Sequence, residues 1–227
     1  MAFTAGDVIR SAQSTLQDAG GVRWLLPELL GYLNAGVRDI ALQKPSATAE
    51  TTTVALEQGT EQSLPAGYHR LLSVISNVSN GRAITPVVRE VLDMQIPGWH
   101  SNAVLPFNQV VSHVLDDPFD TSRFHVCPGN DGNGEIRVIL SRLPSPIPTP
   151  GSPLDIAEYT AEVQVPDIYE NALVDYVCYR AFSKDINVPG AAQRAQAHYG
   201  LFQAALGLKR EVDMVENIDT PKSRFSQ

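Results

Sequence analysis

The sequence predicts an α+β fold in which a four-helix unit, built from the two chain ends, carries an inserted antiparallel β domain. Apolar residues recur at helical spacing near both ends, short β-branched segments with glycine turns fill the middle, and a proline-rich segment follows. The predicted parts are a helical bundle at 1–48 and 160–208, an antiparallel β domain at 49–142, a proline-rich connection at 143–159 and a C-terminal arm at 209–227.

Two helices are predicted at the start of the chain. Thr4 and Asp7 have the spacing of a capping box, and Gly20-Gly21 ends the first helix. The second helix begins near Pro27, since proline is favoured in a first helical turn, and it closes at Lys44-Pro45. Its predicted buried face consists of Leu26, Leu29, Leu30, Leu33, Val37 and Ile40.

Three hairpins are predicted in the middle of the chain. The alternating segment TTTVAL at 51–56 precedes a turn at Gly59. Asn80-Gly81 is the strongest short hairpin signal, because both central positions of that turn need positive φ. The segments RFHVCP and EIRVILSR flank the third turn, GNDGNG, and residues 88–95 predict a short helix.

The last two helices follow an extended connection. Five prolines in Leu143–Pro153 forbid a helix or a central strand there. One helix starts at Pro166-Asp167, and the next begins near Pro189-Gly190. The surplus aromatics Tyr169 and Phe182 either contact another subunit or lie at the edge of the core. The face expected to close against the second helix is Ile168, Ala172, Tyr176, Tyr179 and Ala181.

Composition restricts the class of protein. The 227 residues are 43% hydrophobic and carry a net charge of −8, so a basic footprint for nucleic acid is missing. No apolar run reaches the length of a membrane span, and the first residues lack the pattern of a signal peptide. Cys127 and Cys178 make no disulfide framework and suit a reducing compartment. We therefore expect a protein without membrane contact, made inside a cell.

No catalytic signature is present, and we expect no catalytic, cofactor-binding or metal-binding residues. His125 and Cys127 share one face of a strand, which would supply half of a metal site, but no second pair stands nearby. The segment 130–135 resembles a calcium loop, yet Ile136 stands where glycine is required and the terminal glutamate is absent. A hairpin turn is the favoured interpretation.

Two segments permit contacts with partners. The opening helices could form a helix-turn-helix, but the second helix is close to neutral and a groove-reading helix needs positive charge. The arm at 209–227 combines cations with one aromatic residue and could fold against a partner. Phe225 is its predicted anchor. The other predicted contact residues there are Lys209, Arg210, Pro221 and Arg224.

Several segments resemble phage head-to-tail connector proteins, the adaptors of the tail-tubular type. The segment PDIYENALVDY at 166–176, followed by YRAFSKD at 179–185, is similar to their late helix. The segments WLLPELL at 24–30 and LNAGVRDI at 33–40 are similar to their opening helix. Further similar segments are LPAGY at 64–68, LLSV at 71–74 and RFHVCP at 123–128.

The resemblance implies a structural virion protein that is assembled in the host cytoplasm. Such adaptors form a homo-oligomeric ring of twelve copies under the portal protein, and they offer a docking surface to a downstream tail or nozzle protein. DNA passes through their channel without sequence-specific binding, which suits a negative net charge. The alternatives are a small DNA-binding packaging factor and an enzyme with a cryptic site in the β domain.

Overall fold

The computed structural model of the chain describes residues 3–117, 119–185 and 187–216, and for residues 208–216 it describes the backbone alone. The chain divides into two compact units: unit 1 is Met1–Lys44 with Ser145–Gln227, and unit 2 is Pro45–Pro144. The α+β class predicted from the sequence is confirmed. The elements are α1 (Ala5–Leu16), α2 (Leu26–Gln43), β1 (Ala49–Ala55), β2 (Gly59–Ser63), β3 (Tyr68–Asn77), β4 (Thr85–Pro86), α3 (Arg89–Gln95), β5 (His113–Asp116), β6 (Arg123–Asn130), β7 (Glu135–Arg142), α4 (Glu170–Lys184) and α5 (Ala191–Glu216).

Helix α1 begins with the predicted capping box. The backbone N–H of Asp7 donates to Thr4 Oγ1 at 3.3 Å, and the backbone N–H of Thr4 donates to Asp7 Oδ2 at 2.9 Å. The hydrogen bonds from Thr4 hold the pKa of Asp7 below its ordinary value. The helix ends at Leu16, four residues before the predicted Gly20-Gly21, because Gln17 already adopts the left-handed conformation with φ 57°.

Helix α4 is the central element of unit 1, since α1, α2 and α5 all pack against it. Gly36 lets α2 approach α4 closely. A Cβ atom at this position would lie 2.8 Å from Tyr176 Cδ1 and 3.1 Å from Leu173 Cδ2, both on α4. Two residues depart from the predicted face. Ile168 is 60% exposed, and the ring of Tyr179 lies against Tyr199 of α5.

The segment from Ser145 to α4 lies beside the first helices of unit 1. Asn34 on α2 receives it through two hydrogen bonds, from Asn34 Nδ2 to Ile147 O at 2.9 Å and from Ile147 N to Asn34 Oδ1 at 2.8 Å. Further along, the N–H of Val163 donates to Phe3 O at 3.0 Å. Helix α5 then extends to Glu216, eight residues into the segment 209–227 that was predicted as an arm.

Unit 2 contains two sheets with strand orders β1-β7-β3 and β2-β6-β5-β4. Among the named strands, every pairing is antiparallel except that of β4 with β5, which is parallel. A single buried cluster draws residues from both sheets. Its members are Val54, Leu56, Ile84, Val111, Val114, Phe124, Val126, Ile136, Val138 and Leu140.

Two of the three predicted hairpins are wrong in their pairing, although each turn lies where the sequence predicts it. Strand β1 pairs with β7 and β2 pairs with β6, so the chain changes sheet at Gly59 and again between Asn130 and Glu135. At Asn80-Gly81 the chain does return on itself, through a bridge between Ser76 and Ala83. A turn signal fixes a reversal of the chain, and the sheet that each strand joins depends on distant residues.

A second cluster covers the other face of the four-stranded sheet. Helix α3, which matches the predicted helix at 88–95, contributes Leu92, and the following loop contributes Trp99. These side chains pack on Leu115 and Cys127, which project from β5 and β6. The segment 95–120, for which the family resemblance suggested no role, thus supplies part of a covering layer for the sheet and, as the SHVLDD segment predicts, the strand β5.

Candidate functional site

The structure places both predicted aromatic contact residues inside unit 1. Tyr169 and Phe182 are 2% and 7% exposed. Phe182 meets Trp24 edge-on with ring centroids 6.2 Å apart, and it stacks on His198 at 5.7 Å. The edge-of-core interpretation therefore describes these two residues in the single chain. Their contact with another subunit stays a prediction.

The other predicted contact residues lie outside what the structure describes. For Lys209 and Arg210 the side chains are outside the described part, and Pro221, Arg224 and Phe225 are outside it altogether.

An apolar groove lies between α4 and α5, and it is our candidate interaction site. Its volume is about 330 Å³, and Phe182 reaches its lining. Tyr179 of α4 and Tyr199 of α5 have ring centroids 4.8 Å apart, and Tyr199 keeps 38% of its surface exposed. The lining residues are Tyr179, Phe182, Ser183, Ala192, Ala195, Gln196 and Tyr199.

Aromatic packing holds this groove in place. Tyr176 contacts Tyr179 and Phe202 edge-on, with ring centroids 5.8 Å and 5.0 Å apart. Phe202 is fully buried, whereas Tyr179 is half-buried. The tyrosines combine a large apolar ring with a hydroxyl that tolerates water, as side chains of protein interfaces do. The groove therefore offers an apolar surface lined by aromatic rings.

A second, more polar pocket of about 280 Å³ opens where the α1–α2 and α4–α5 connections meet. Arg23 Nε lies 2.8 Å from Asp185 Oδ2, and the guanidinium of Arg194 lies 5.7 Å from the ring centroid of Phe182. Asp18 accepts hydrogen bonds from the backbone N–H groups of Val22, Arg23 and Trp24 at 2.9–3.0 Å. Burial raises the pKa of Asp18, but these N–H groups outweigh it and leave the pKa below its ordinary value.

Cys127 and Cys178 are both buried, and their side chains are suited to packing in the core. Burial, assisted by Asp175, raises the pKa of Cys178 to about 12, and burial also raises the pKa of Cys127. Both side chains are therefore thiols at neutral pH, and the thiolate is the reactive form. Among the described residues, no three histidine, cysteine, aspartate or glutamate side chains come together in a way that could hold a metal ion.

Sequence reasoning missed the Tyr179–Tyr199 contact, although a signal was present. Tyr176 with Tyr179, and Tyr199 with Phe202, are spaced three residues apart, which places each pair on one face of a helix. The sequence assigned Tyr179 to the α2 face because apolar spacing does not distinguish between two neighbouring helices.

Comparisons with known proteins supply the family. None of the curated proteins matches the chain. In the described part of the chain, no helix is long and apolar enough to cross a membrane. The family model described as SU10 adaptor protein matches residues 3–222. The chain therefore belongs to the SU10 adaptor protein family, which confirms the resemblance to phage head-to-tail connectors.

Proposed function

We propose that this chain is a ring-forming head-to-tail adaptor of a phage virion. Twelve copies join the portal protein to a downstream tail or nozzle protein and line the DNA channel, after assembly in the host cytoplasm. The observation that carries the proposal is the match of the adaptor family over residues 3–222. A structural adaptor family also implies that the chain is not an enzyme.

The charge of the chain supports the channel role. Because its net charge is −8, the chain attracts phosphate groups little, and DNA slides past it without sequence-specific contacts. Helix α2 is also poorly suited to contact DNA bases, because two of its polar side chains are engaged within the chain. Asn34 is bonded to the backbone of Ile147, and Glu28 accepts from Lys184 Nζ at 2.6 Å and from Tyr32 OH at 2.6 Å. These contacts disfavour the alternative of a DNA-binding packaging factor.

The test of the proposal is the mass of the complex. The purified chain is mixed with the portal of its own phage, and the mass is measured by light scattering after size-exclusion chromatography. We expect a monomer when the chain is alone and a twelve-copy ring when the portal is present. Failure to bind the portal, or binding of isolated copies without a ring, would reject the proposal.

The α4–α5 groove is the surface that we propose for the contact with a neighbouring subunit. Tyr199→Glu places a charge at the edge of an apolar groove, which costs binding but leaves the partly exposed side chain hydrated in the monomer. We expect ring formation on the portal to weaken at least tenfold, measured as the chain concentration that gives half-maximal ring formation.

Ala197→Glu is the matched control for that variant. It introduces the same charge on the same helix, at an exposed position that does not line the groove. Equal loss of ring formation in both variants would show that charge on α5, and not the groove, is responsible.

The arm is the part of the chain that we propose to dock on the portal or an adjacent subunit, with Phe225 as anchor, Arg224 beside it and Pro221 setting the bend. Arginine and aromatic residues carry much of the energy of protein interfaces. Deleting residues 217–227 should weaken portal binding about tenfold, or about 1.4 kcal/mol, and leave the thermal stability of the monomer unchanged. Phe225→Ala should reproduce most of the loss and Ser226→Ala none, whereas wild-type affinity of the deletion variant would exclude residues 217–227 as the docking element.

A further inference from the structure

Phe119 stands in solvent between β5 and β6 of unit 2. It is 96% exposed, the largest exposed fraction of any large apolar residue in the described part of the chain. Burial of an aromatic ring against another protein removes that apolar surface from water and favours association. Phe119 is therefore a candidate contact with a partner.

Hydrogen bonds to two aspartate side chains order the backbone around Phe119. The N–H of Phe119 donates to Asp117 Oδ1 at 2.9 Å, and the N–H of Asp120 donates to the same oxygen at 3.3 Å. Asp120 Oδ1 accepts from the N–H of Ser122 at 2.9 Å, and Asp120 Oδ2 lies 3.3 Å from Arg123 Nε. A segment that is already ordered loses little conformational freedom when it binds, so it presents the ring of Phe119 at a low entropic cost.

The charges beside Phe119 and beside the α4–α5 groove have opposite signs. The acidic loop, which we define as residues 116–120, carries three aspartates and no cation. Residues 176–184 and 191–207, the parts of α4 and α5 that border the groove, carry three cations and no acid, although the whole chain has a net charge of −8. Complementary charges of this kind steer two surfaces together and fix their register. The cations are Arg180, Lys184 and Arg194.

The groove fits an aromatic side chain. Its volume is about 330 Å³, and a protein cavity of about 150 Å³ is large enough to bind benzene. Arg194 lies at the groove, with its guanidinium 5.7 Å from the ring centroid of Phe182, whereas Lys184 is already paired with Glu28 of α2. A phenylalanine that enters the groove can therefore bring an adjacent aspartate towards Arg194.

A closed ring of identical copies needs two different surfaces on each copy, because every contact joins one kind of surface to the other. The α4–α5 groove supplies one of them, and the acidic loop supplies its complement. We propose that Phe119 of each copy inserts into the α4–α5 groove of the neighbouring copy, with the aspartates of the acidic loop facing the cations of α4 and α5. This inference rests on the ring proposed above and names the occupant of its groove.

The first test is a disulfide bond between copies. Phe119→Cys chains and Gln196→Cys chains, which carry tags of different size, are mixed with the portal under mild oxidation, and covalent dimers are measured by non-reducing electrophoresis. We expect dimers that contain one chain of each kind, since a disulfide forms when the two Cα atoms lie within about 7 Å. The native cysteines are buried and do not compete.

The matched control replaces Gln196→Cys by Ala204→Cys. Ala204 is exposed on the same helix, outside the groove lining and about 12 Å further along the helix axis. We expect at least tenfold fewer mixed dimers with this variant, and equal yields from the two mixtures would overturn the proposal.

The second test removes the ring of Phe119. Phe119→Ser leaves the hydrogen bonds of the acidic loop in place, because they use the backbone N–H of residue 119. We expect the chain concentration that gives half-maximal ring formation on the portal to rise at least tenfold. Met94→Ser, at an 82% exposed position of α3 in the same unit, should leave that concentration unchanged. An equal loss in both variants would overturn the proposal.

A double variant tests whether Phe119 and the groove contact each other. If they do, Phe119→Ser combined with Tyr199→Glu should be no weaker in ring formation than the weaker single variant, because both changes break one contact. Normal ring formation by Phe119→Ser, with ring formation still weakened by Tyr199→Glu, would assign the groove to the portal or a tail protein and would overturn this inference alone. A wild-type chain that forms no ring would remove the proposed function and this contact together.

Discussion

Leu33→Asp is expected to unfold unit 1 and to leave unit 2 folded. Leu33 is 0% exposed on the face of α2 that packs on α4. Removing a buried leucine costs about 1.5–3 kcal/mol, and a buried carboxylate without a cationic partner adds several kcal/mol. Together these effects are comparable with the whole stability of a domain, about 5–15 kcal/mol.

The two tryptophans allow each unit to be followed separately, since Trp24 lies in unit 1 and Trp99 in unit 2. In a Trp99→Phe chain, urea unfolding monitored by Trp24 fluorescence should show no folded baseline once Leu33→Asp is introduced. Leu201→Asp is the matched control, because Leu201 is 55% exposed on α5 of the same unit, and it should shift the midpoint little. A cooperative transition at the wild-type midpoint in the Leu33→Asp chain would contradict this prediction.

The helices of unit 1 were predictable because their signals are local. The capping box at Thr4, Pro27 in the first turn of α2 and the leucine spacing of α2 each act within a few residues. The assignment of Tyr179 failed for a non-local reason. Its position on α4 is set by the approach of α2 at Gly36, which turns Tyr176 towards α2 and leaves Tyr179 for α5.

The sheets show the same division. The turns at Gly59 and at 130–135 were found from glycine and asparagine, but their strands separate into different sheets. Val54 on β1 and Phe124 on β6 are both buried in the cluster that draws on the two sheets, and at each turn the chain passes from one sheet to the other. The alternation of apolar residues is the same in a hairpin and in a crossing strand, so the sequence pattern cannot separate the two.

The candidate site was less predictable than the fold. Surplus aromatic residues were recognised in α4, but the sequence selected Tyr169 and Phe182, which the structure buries, and passed over Tyr199, which it leaves partly exposed. Exposure depends on how far α5 covers α4, and small residues such as Ala192 and Ala195 leave the groove open. The exposure of Tyr199 therefore depends on how the two helices pack together, and neither sequence segment alone determines it.

The side chain of Asn130 ties the turn between β6 and β7 to a neighbouring loop. Its side chain is 0% exposed and makes four hydrogen bonds. Oδ1 accepts from the N–H groups of Gly132 at 2.8 Å and Gly134 at 3.1 Å, and Nδ2 donates to the carbonyls of Asn108 at 3.0 Å and Gln109 at 3.1 Å. The amide therefore links the turn to the carbonyls of Asn108 and Gln109.

Asn130→Asp should destabilise unit 2 by about 3 kcal/mol or more. The replacement keeps the shape of the side chain but turns the donor that faces two carbonyls into an acceptor, which leaves buried oxygens in repulsion. Urea unfolding of a Trp24→Phe chain, monitored by Trp99, should show the loss as a lower midpoint with the same slope. Asn133→Asp makes the same chemical change at an exposed position of the same turn and should shift the midpoint little. If the two variants unfold at the same urea concentration, the four hydrogen bonds of Asn130 do not stabilise the unit.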